Sequence, residues 1–428
     1  MTRLKHFPVA GRRAAILVTA ACMLAAMHTH AAPILPPVSS APLAPYDPAV
    51  FGPSALADKQ ANRIITAWQT EAVSMPWTTT ALEMIVKHKT APTRGARGSA
   101  LVHVAMYDAW QAAPDADRVT LQIAVSSAAT QVLGYWFTAE EHGFDRILAA
   151  VLAKLQATPQ QVAQGMEIGR RAAQAAIARG QSDGAERGWN GVRLQWYGEG
   201  RYYGPGAWAP TAPYFYYPPD EPFAPNWRTW VLENPGQLRP TPPAFGSERF
   251  TKDLEEVVDV QKNLTPEQLR IAKFWVDGSG SVTPPGHWNQ IAQDLVRKHK
   301  MDDRQTLLLF VRLNIALADT FIAVWDTKYH YWTGRPITLA KTVLGVELRT
   351  AILTPPFPSY VSGHAAFSGA AARIIGAAFP DEAGSVDAMA QEAAMSRLYG
   401  GIHYRHDNED GLALGRAVAN VVLRKVAR

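Results

Sequence analysis

The last quarter of the sequence contains three separated segments with cationic and imidazole side chains. The first segment, residues 325–336, contains Lys328 and Arg335, seven residues apart. Seven residues span nearly two helical turns, so both cations can face one point, although Gly334 and Pro336 indicate that the helix frays there. A lysine and an arginine at this spacing are usually solvated surface charges, so this segment alone is a weak signal.

The second segment, residues 357–364, reads Phe-Pro-Ser-Tyr-Val-Ser-Gly-His and precedes a run of small residues. Proline and glycine before a helical run place Ser362, Gly363 and His364 at a helix N-terminus. Free backbone N–H groups and the helix dipole favour an anion at such a position. Gly363 also allows the main chain to approach that anion closely. The structural alternative is a capped helix with an incidental histidine.

The third segment, residues 396–407, contains Arg397, His403 and Asp407. His403 and Asp407 are four residues apart and can meet on one helical face. The carboxylate would then fix the tautomer of the imidazole and raise its basicity. Such a histidine can bind a metal or attack phosphorus, whereas an isolated pair of this kind usually lies on the surface.

Taken together, the three segments supply what a pentacoordinate oxyanion site needs. Three cations, Lys328, Arg335 and Arg397, would neutralise the equatorial oxygens. One histidine would take an axial position and the other would transfer protons.

The motifs resemble those of the vanadium-dependent haloperoxidase and type 2 phosphatidic acid phosphatase superfamily. That pattern is Lys-x6-Arg-Pro, then Pro-Ser-Gly-His, then Ser-Arg-x5-His-x3-Asp, and only Val361 departs from it, where the family usually has proline. The likeness to the vanadium chloroperoxidase branch extends over about residues 270–416. The resemblance includes two aromatic residues at the positions where that branch has them: Trp325, three residues before the lysine, and Phe357, at the start of the second segment.

The resemblance implies a vanadate cofactor, with His403 as the axial vanadium ligand and His364 as the acid–base group. It implies that Asp407 supports His403 and that Asp277 pairs with an arginine. It also places Trp325 and Phe357 in a halide pocket. The residues implied to hold the vanadate oxygens are Lys328, Arg335, Ser362, Gly363 through its amide, and Arg397.

Two activities are compatible with these residues. The first is oxidation of halide by hydrogen peroxide to hypohalous acid at a His-bound vanadate. The second is hydrolysis of phosphate monoesters by a secreted acid phosphatase without vanadium, in which His403 forms a phosphohistidine and His364 protonates the leaving alcohol. Trp325 and Phe357 favour the peroxidase, and a non-catalytic phosphate-binding module would not need both histidines.

The elements that must position these residues are helical. The period of apolar residues is helical from about Ala57 onward, and alternating strand patterns are scarce. Thr158 and Thr265 each begin a Thr-Pro-x-Gln capping box, which predicts a helix start. We therefore predict an all-α fold, either one large bundle or two packed bundles, with an N-terminal helical region at 57–245. A C-terminal haloperoxidase domain at 246–428 would contain the active site, and His103 is expected to be a core histidine.

Residues 195–245 interrupt the helical pattern with many Tyr, Trp, Pro and Gly residues. Long irregular segments in compact domains are usually functional or connecting. We expect an ordered cover that packs through its aromatic side chains and borders the mouth of the active site, and a surface connector is the alternative.

The N-terminal residues 1–31 have the pattern of a secretory signal peptide: a basic start, an apolar run and small residues before Ala32. Residues 32–56 follow as a flexible leader rich in proline and alanine. Removal of four of the 42 basic residues would reduce the net charge from +5 to about +1, so no nucleic-acid partner is expected. The one cysteine, Cys22, lies within the signal. We expect an exported protein, periplasmic or secreted, with no stable membrane span.

Cleavage after Ala31 gives the first testable prediction. The mature protein recovered from outside the cytoplasm should begin near Ala32. N-terminal sequencing of that fraction checks this expectation, and recovery of exported protein with an intact Met1 would contradict it.

Overall fold

The computed structural model describes residues 33–36, 47, 50–186 and 203–426. Within these ranges the regular structure is helical, with one isolated bridge between Ala207 and Thr333, which confirms the predicted all-α fold. The predicted signal peptide and most of the predicted leader lie outside the described residues. The α-helices are α1 (Ala55–Ala67), α2 (Met75–Lys87), α3 (Pro92–Gln111), α4 (Arg118–Trp136), α5 (Glu141–Lys154), α6 (Pro159–Ser182), α7 (Glu248–Lys262), α8 (Pro266–Phe274), α9 (Thr283–His299), α10 (Asp303–Tyr331), α11 (Pro336–Leu344), α12 (Gly363–Ala378), α13 (Ala383–Tyr399) and α14 (Arg405–Lys425).

The two capping boxes read from the sequence begin helices, as predicted. At the start of α6, Thr158 Oγ1 accepts from the Gln161 N–H at 3.2 Å, and Gln161 Oε1 accepts from the Thr158 N–H at 2.9 Å. Thr265 and Gln268 form the same reciprocal pair at the start of α8. Each box satisfies two backbone donors that the first helical turn leaves free.

The longest helix, α10, forms the centre of the core. It packs against α3 from the N-terminal region and against α12 and α14 from the C-terminal region. Its length and composition match those of a membrane span, but 89% of its most apolar window is buried inside the protein. The described helices form one compact unit, so a boundary between residues 245 and 246 stays a prediction.

His103 is a core residue on α3, which confirms the expectation from the sequence. Its Nδ1 lies 2.7 Å from the Ser99 carbonyl oxygen, and its Nε2 lies 3.1 Å from Thr78 Oγ1. Burial lowers the pKa of His103 to about 4, so the ring is neutral at physiological pH.

The irregular segment divides into a buried and an exposed part, over its described residues 203–245. Trp208 and Trp227 are buried, and the ring of Trp208 packs edge-on against Trp332 at 5.2 Å. The aromatic run from Tyr214 to Tyr217 is exposed. The expected cover is therefore anchored by its tryptophans.

Helices α12 and α14 approach each other closely because small residues line their contact. A Cβ atom added at Gly415 would lie 1.9 Å from the Ala366 carbonyl oxygen, and one added at Gly369 would lie 2.4 Å from the Leu412 carbonyl oxygen. This packing fixes the N-terminus of α12 relative to the N-terminus of α14.

Replacement of Gly415 therefore tests the packing of these helices. Because the added methyl group would overlap backbone, Gly415→Ala should lower the free energy of unfolding by about 2 kcal/mol or more. Gly384→Ala in α13 is the matched control, since its Cβ would meet nothing within 4 Å and alanine favours helix by about 0.5–1 kcal/mol. Urea unfolding measures both, and equal stability of the two variants would contradict the close contact.

Candidate active site

The three chemical segments meet where several helices begin or end. Lys328 lies in the last turn of α10, and Arg335 is the N-cap of α11. Ser362 is the N-cap of α12, while Arg397 lies in the last turn of α13. His403 lies two residues before the start of α14. The backbone groups that helix termini leave unpaired are therefore concentrated around this site.

The path from Lys328 to Arg335 corrects one expectation. The two cations do not share a helical face, because α10 ends at Tyr331 and Trp332 adopts a left-handed conformation with φ 55°. The chain then turns, and Pro336 occupies the first position of α11. Both side chains are nevertheless fully buried at 0% exposure.

Lys328 holds the turn that precedes α12. Its Nζ donates to the carbonyl oxygens of Pro358 at 2.9 Å, Ser359 at 2.7 Å and Val361 at 2.6 Å. Burial and the charge of Arg335 lower the pKa of Lys328. Three carbonyl acceptors nevertheless require three N–H donors, which only the protonated ammonium supplies. Direct contact between Lys328 and a bound oxyanion stays a prediction.

Arg335 contacts the histidine that was predicted as the metal ligand. Its Nε donates to the Phe357 carbonyl oxygen at 2.9 Å, and its Nη1 lies 2.8 Å from the Ile402 carbonyl oxygen and 3.0 Å from His403 Nε2. Its Nη2 is buried and has no hydrogen-bond partner among the described residues. Burial lowers the pKa of Arg335 to about 10, so the guanidinium stays charged at neutral pH.

The second segment forms the predicted helix start. The Ser362 side chain caps α12 by accepting from the Ala365 N–H at 3.4 Å. Gly363 and His364 line a cavity, and a Cβ added at Gly363 would meet nothing within 4 Å. The backbone at Gly363 is therefore open to a ligand at the positive end of the helix dipole.

His364 faces a carbonyl on one side, which defines its tautomer. Its Nε2 lies 3.3 Å from the Val276 carbonyl oxygen, so this nitrogen is the donor. Burial and the charges of Arg397 and His403 lower the pKa of His364. The ring is therefore neutral, with Nδ1 free to accept a proton.

His403 and Asp407 are in contact as predicted, but by a different backbone path. Helix α13 ends at Tyr399, Gly401 has φ +77°, and α14 begins only at Arg405, so the pair does not lie on a helical face. His403 Nδ1 lies 2.7 Å from Asp407 Oδ2. Glycine makes the left-handed turn between the two helices possible.

The hydrogen bonds of His403 leave Nε2 without a proton. Burial and the charge of Arg335 lower the pKa of His403, so the ring is neutral. Burial raises the pKa of Asp407, but hydrogen bonds from His403 and Ser359 outweigh burial and hold it below its usual range. The carboxylate therefore accepts the Nδ1 proton, and the Nε2 lone pair accepts from Arg335. This is the atom that can bind a metal or attack phosphorus.

Arg397 and Asp277 interact at a distance. Arg397 donates from Nε to Ser396 Oγ at 2.9 Å and from Nη2 to the Ala272 carbonyl oxygen at 3.1 Å. The hydrogen-bond partner of Asp277 is His287, at 3.0 Å, rather than an arginine. Burial lowers the pKa of Arg397 to about 9, and the charge of Asp277 opposes this shift. The implied pairing with an arginine is therefore electrostatic and lacks the expected hydrogen bond.

The three cations fit an oxyanion because their own partners are neutral. Within the described part of the chain, the hydrogen-bond acceptors of Lys328, Arg335 and Arg397 are carbonyl oxygens, a hydroxyl and an imidazole, and none is a carboxylate. Buried charges are costly without a counter-ion. A tetrahedral oxyanion such as vanadate or phosphate would provide that charge and accept from Arg335 Nη2.

A cavity of about 530 Å³ opens over this group. Trp325 and Phe357 line it, with their ring centroids 5.0 Å apart, together with His364, Arg397 and His403. Pro218 to Glu221 from the irregular segment also line it, which confirms that this segment borders the cavity. The carbonyl of Asp220 accepts from Trp325 Nε1 at 3.0 Å and so holds the indole in place.

Sequence reasoning missed two side chains that support the site. Ser359 donates to Asp407 Oδ2 at 2.6 Å. The Phe-Pro-Ser motif includes Ser359 but predicts no contact for it. His287 holds Asp277 and stacks on Trp275 at 4.7 Å. Spacing alone does not predict the contact between Asp277 and His287, because ten residues and a helix start separate them.

Substitution of the two histidines should have different effects on ligand binding. His403→Ala should abolish vanadate binding, because it removes the Nε2 ligand. His364→Ala should leave vanadate bound but stop turnover, because it removes the proton acceptor. Calorimetric titration with orthovanadate checks both variants, and equal loss of binding would contradict these assignments.

The comparisons with known proteins agree with this geometry. The model of the VCPO second helical-bundle domain matches residues 383–428. Vanadium chloroperoxidase of Curvularia inaequalis is 26% identical over 137 residues, which cover 26% of this chain. The chain spans only 22% of the length of that curated relative.

Solved structures extend the similarity over most of the chain. A bacterial vanadium-dependent iodoperoxidase aligns with a TM-score of 0.72 and 25% identity, over 87% of this chain and 98% of that one. A bacterial vanadium-dependent chloroperoxidase shares the fold, with a TM-score of 0.64 and 16% identity, over 79% of this chain and 92% of that one. By its motifs, its helical architecture and these relatives, the chain is similar to the vanadium-dependent haloperoxidases.

Proposed function

We propose that this protein is a vanadium-dependent haloperoxidase, which oxidises halide with hydrogen peroxide to hypohalous acid while vanadate is bound to His403. The observation that carries the proposal is the unprotonated His403 Nε2 beside buried cations with neutral hydrogen-bond partners. Bound vanadate would supply a Lewis acid that activates peroxide, and the oxidation state of vanadium would not change.

The protein residues have separate tasks in this reaction. Asp407 keeps the Nδ1 proton of His403 in place, so that Nε2 faces the cofactor. Arg335 Nη2, Arg397 and the Gly363 N–H bind and neutralise the oxyanion. Lys328 holds the carbonyls before α12 and adds positive charge.

His364 is the acid–base group of the proposal. Its Nε2–H donates to the Val276 carbonyl, which fixes the ring and leaves Nδ1 as the basic atom. The neutral ring accepts a proton from hydrogen peroxide at Nδ1 and returns it as hypohalous acid leaves.

Trp325 and Phe357 are proposed to form the halide site. Trp325 is 4% exposed, and the Phe357 ring lies 5.2 Å from Lys328 Nζ and 5.0 Å from the Arg335 guanidinium carbon. An anion beside these rings loses water but remains close to two positive charges. Such a site favours halide over water at the reacting centre.

A secreted acid phosphatase is the alternative, and the same unprotonated Nε2 supports it. His403 would attack the phosphorus atom, the cations would stabilise the equatorial oxygens, and His364 would protonate the leaving alcohol. The 530 Å³ cavity has room for the alcohol part of a phosphate monoester. This activity needs no vanadium.

For its location, we propose export to the periplasm or the medium. The pattern of basic, apolar and small residues in 1–31 supports this proposal.

Parallel assays of the purified protein separate the two activities. Bromination with bromide and peroxide should require added orthovanadate, whereas hydrolysis of a phosphate monoester should be weak and should be inhibited by orthovanadate. Efficient hydrolysis without bromination at any orthovanadate concentration would favour the phosphatase and overturn the leading proposal.

The cavity aromatics give a second test. The Trp325→Ala/Phe357→Ala variant should lower bromination by roughly tenfold or more, equivalent to about 1.4 kcal/mol of transition-state stabilisation. Any phosphatase activity should fall less, because its phosphoryl contacts come from the cations and α12. The Trp136→Ala/Phe137→Ala variant is the control, since it removes a stacked pair at 4.4 Å elsewhere in the fold. Unchanged bromination in a folded Trp325/Phe357 variant would exclude the halide site.

A further inference from the structure

A second carboxylate–imidazole pair lies behind the first. Asp253 on α7 and His406 on α14 are both buried, with exposures of 3% and 5%. His406 Nδ1 lies 2.6 Å from Asp253 Oδ2, and the His406 backbone N–H donates to the same oxygen at 3.1 Å. The first turn of α14 is thereby attached to α7.

The other ring nitrogen of His406 faces the carboxylate that supports His403. His406 Nε2 lies 3.5 Å from Asp407 Oδ1. Asp407 Oδ2 already accepts from His403 Nδ1 at 2.7 Å and from Ser359 at 2.6 Å. Oδ1 is buried and has no hydrogen-bond partner among the described residues, so His406 Nε2 is positioned to donate to it. A small movement of the His406 ring toward Asp407 would give Oδ1 a hydrogen-bond donor, and a buried oxygen without one is costly.

The two pairs form one row in which basic side chains alternate with carboxylates, and this row extends to the protein surface. From the inside outward, the row is His403, Asp407, His406, Asp253 and Arg249, whose Nη2 also binds the exposed Glu409. Burial raises the pKa of Asp253, but hydrogen bonds from His406 and Arg249 outweigh burial and lower it, so the carboxylate stays charged.

The surroundings hold the His406 ring in one plane. The Tyr404 ring stacks on it at 5.0 Å with an interplanar angle of 8°, and the Tyr360 ring lies 6.0 Å away. Tyr360 donates to Asp410 at 2.8 Å, and the charges of Asp410 and His406 interact. The imidazole is therefore constrained by rings and by carboxylates on both sides.

We propose that His406 is a positioning residue for ligand binding at His403. With both ring nitrogens protonated between two carboxylates, His406 donates from Nδ1 to Asp253 and from Nε2 to Asp407 Oδ1, and so fixes the Asp407 carboxylate with Oδ2 on the Nδ1 proton of His403. The neutral tautomer of His403 with Nε2 unprotonated is then the populated one. This inference rests on the proposed function, because the ligand that would bind His403 more tightly is the vanadate of that proposal. The effect of His406 on the tautomer of His403 requires no ligand.

Substitutions at His406 separate its two hydrogen bonds. His406→Gln places an amide donor near the position of Nε2 and can still reach Asp407. His406→Asn places one near Nδ1 and can reach only Asp253. His406→Phe keeps the ring that stacks on Tyr404 and removes both donors. His103→Asn is the matched control, because His103 is an equally buried histidine outside this row.

The first readout is the ¹⁵N NMR spectrum of histidine-labelled protein without ligand. Wild type and His406→Gln should show His403 as a single tautomer protonated at Nδ1. His406→Asn and His406→Phe should show a mixture of tautomers, while His103→Asn should show the wild-type signal for His403. Wild-type tautomer populations in both the Asn and Phe variants would overturn the inference, whatever the protein catalyses.

The second readout is the affinity for orthovanadate by calorimetry, with the melting temperature measured on the same samples. His406→Asn and His406→Phe should bind about tenfold or more weakly than wild type, whereas His406→Gln should stay within about threefold. A purely structural role predicts that affinity follows melting temperature, which would contradict the proposal. If wild type shows the Nδ1 tautomer but binds phosphate and not orthovanadate, the haloperoxidase proposal fails while the positioning role stands.

Discussion

The structure depends on the burial of three cations that no carboxylate of the described residues contacts directly. Lys328, Arg335 and Arg397 have exposures of 0%, 0% and 2%. Charges removed from water at this depth need partners, and the protein supplies mostly backbone carbonyl oxygens. Carbonyl dipoles stabilise a cation without cancelling its charge. The site therefore remains positive, as the proposed binding of an oxyanion requires.

The architecture around the site follows from this need for carbonyl oxygens. Regular helices use their carbonyls internally, so acceptors for buried cations must come from helix ends and turns. The turn at 357–361, Ile402 between α13 and α14, and Ala272 in the last turn of α8 supply them here. The close packing of α12 on α14 holds the start of α12 near His403. Among the described residues, the carboxylate of Asp407 contacts the histidine rather than the cations, which keeps the proton on Nδ1 and leaves Nε2 unprotonated.

The helical period of apolar residues was sufficient to predict the all-α fold, and motif spacing was sufficient to predict the meeting of His403 with Asp407. Motif spacing predicted the wrong backbone conformation between the members of two residue pairs. The spacing predicts one continuous helix between Lys328 and Arg335 and another between His403 and Asp407. Helical periodicity applies only where the helix continues from the first residue of a pair to the second. Trp332 ends α10 in a left-handed conformation, and Gly401 adopts one in the turn between α13 and α14. Only the three-dimensional packing shows that the residues still converge. The roles of Ser359 and His287 depend on contacts between distant segments, which a single sequence does not contain.

The stability of the protein with and without orthovanadate tests the central claim most directly. If the buried cations lack a counter-ion, a ligand that supplies one binds the folded state alone and raises the free energy of unfolding. Orthovanadate at a hundred times its Kd should add about 2.7 kcal/mol, whereas chloride at the same ionic strength should add far less. Urea unfolding of the purified protein measures this difference. Equal stability in orthovanadate and in chloride would contradict the account.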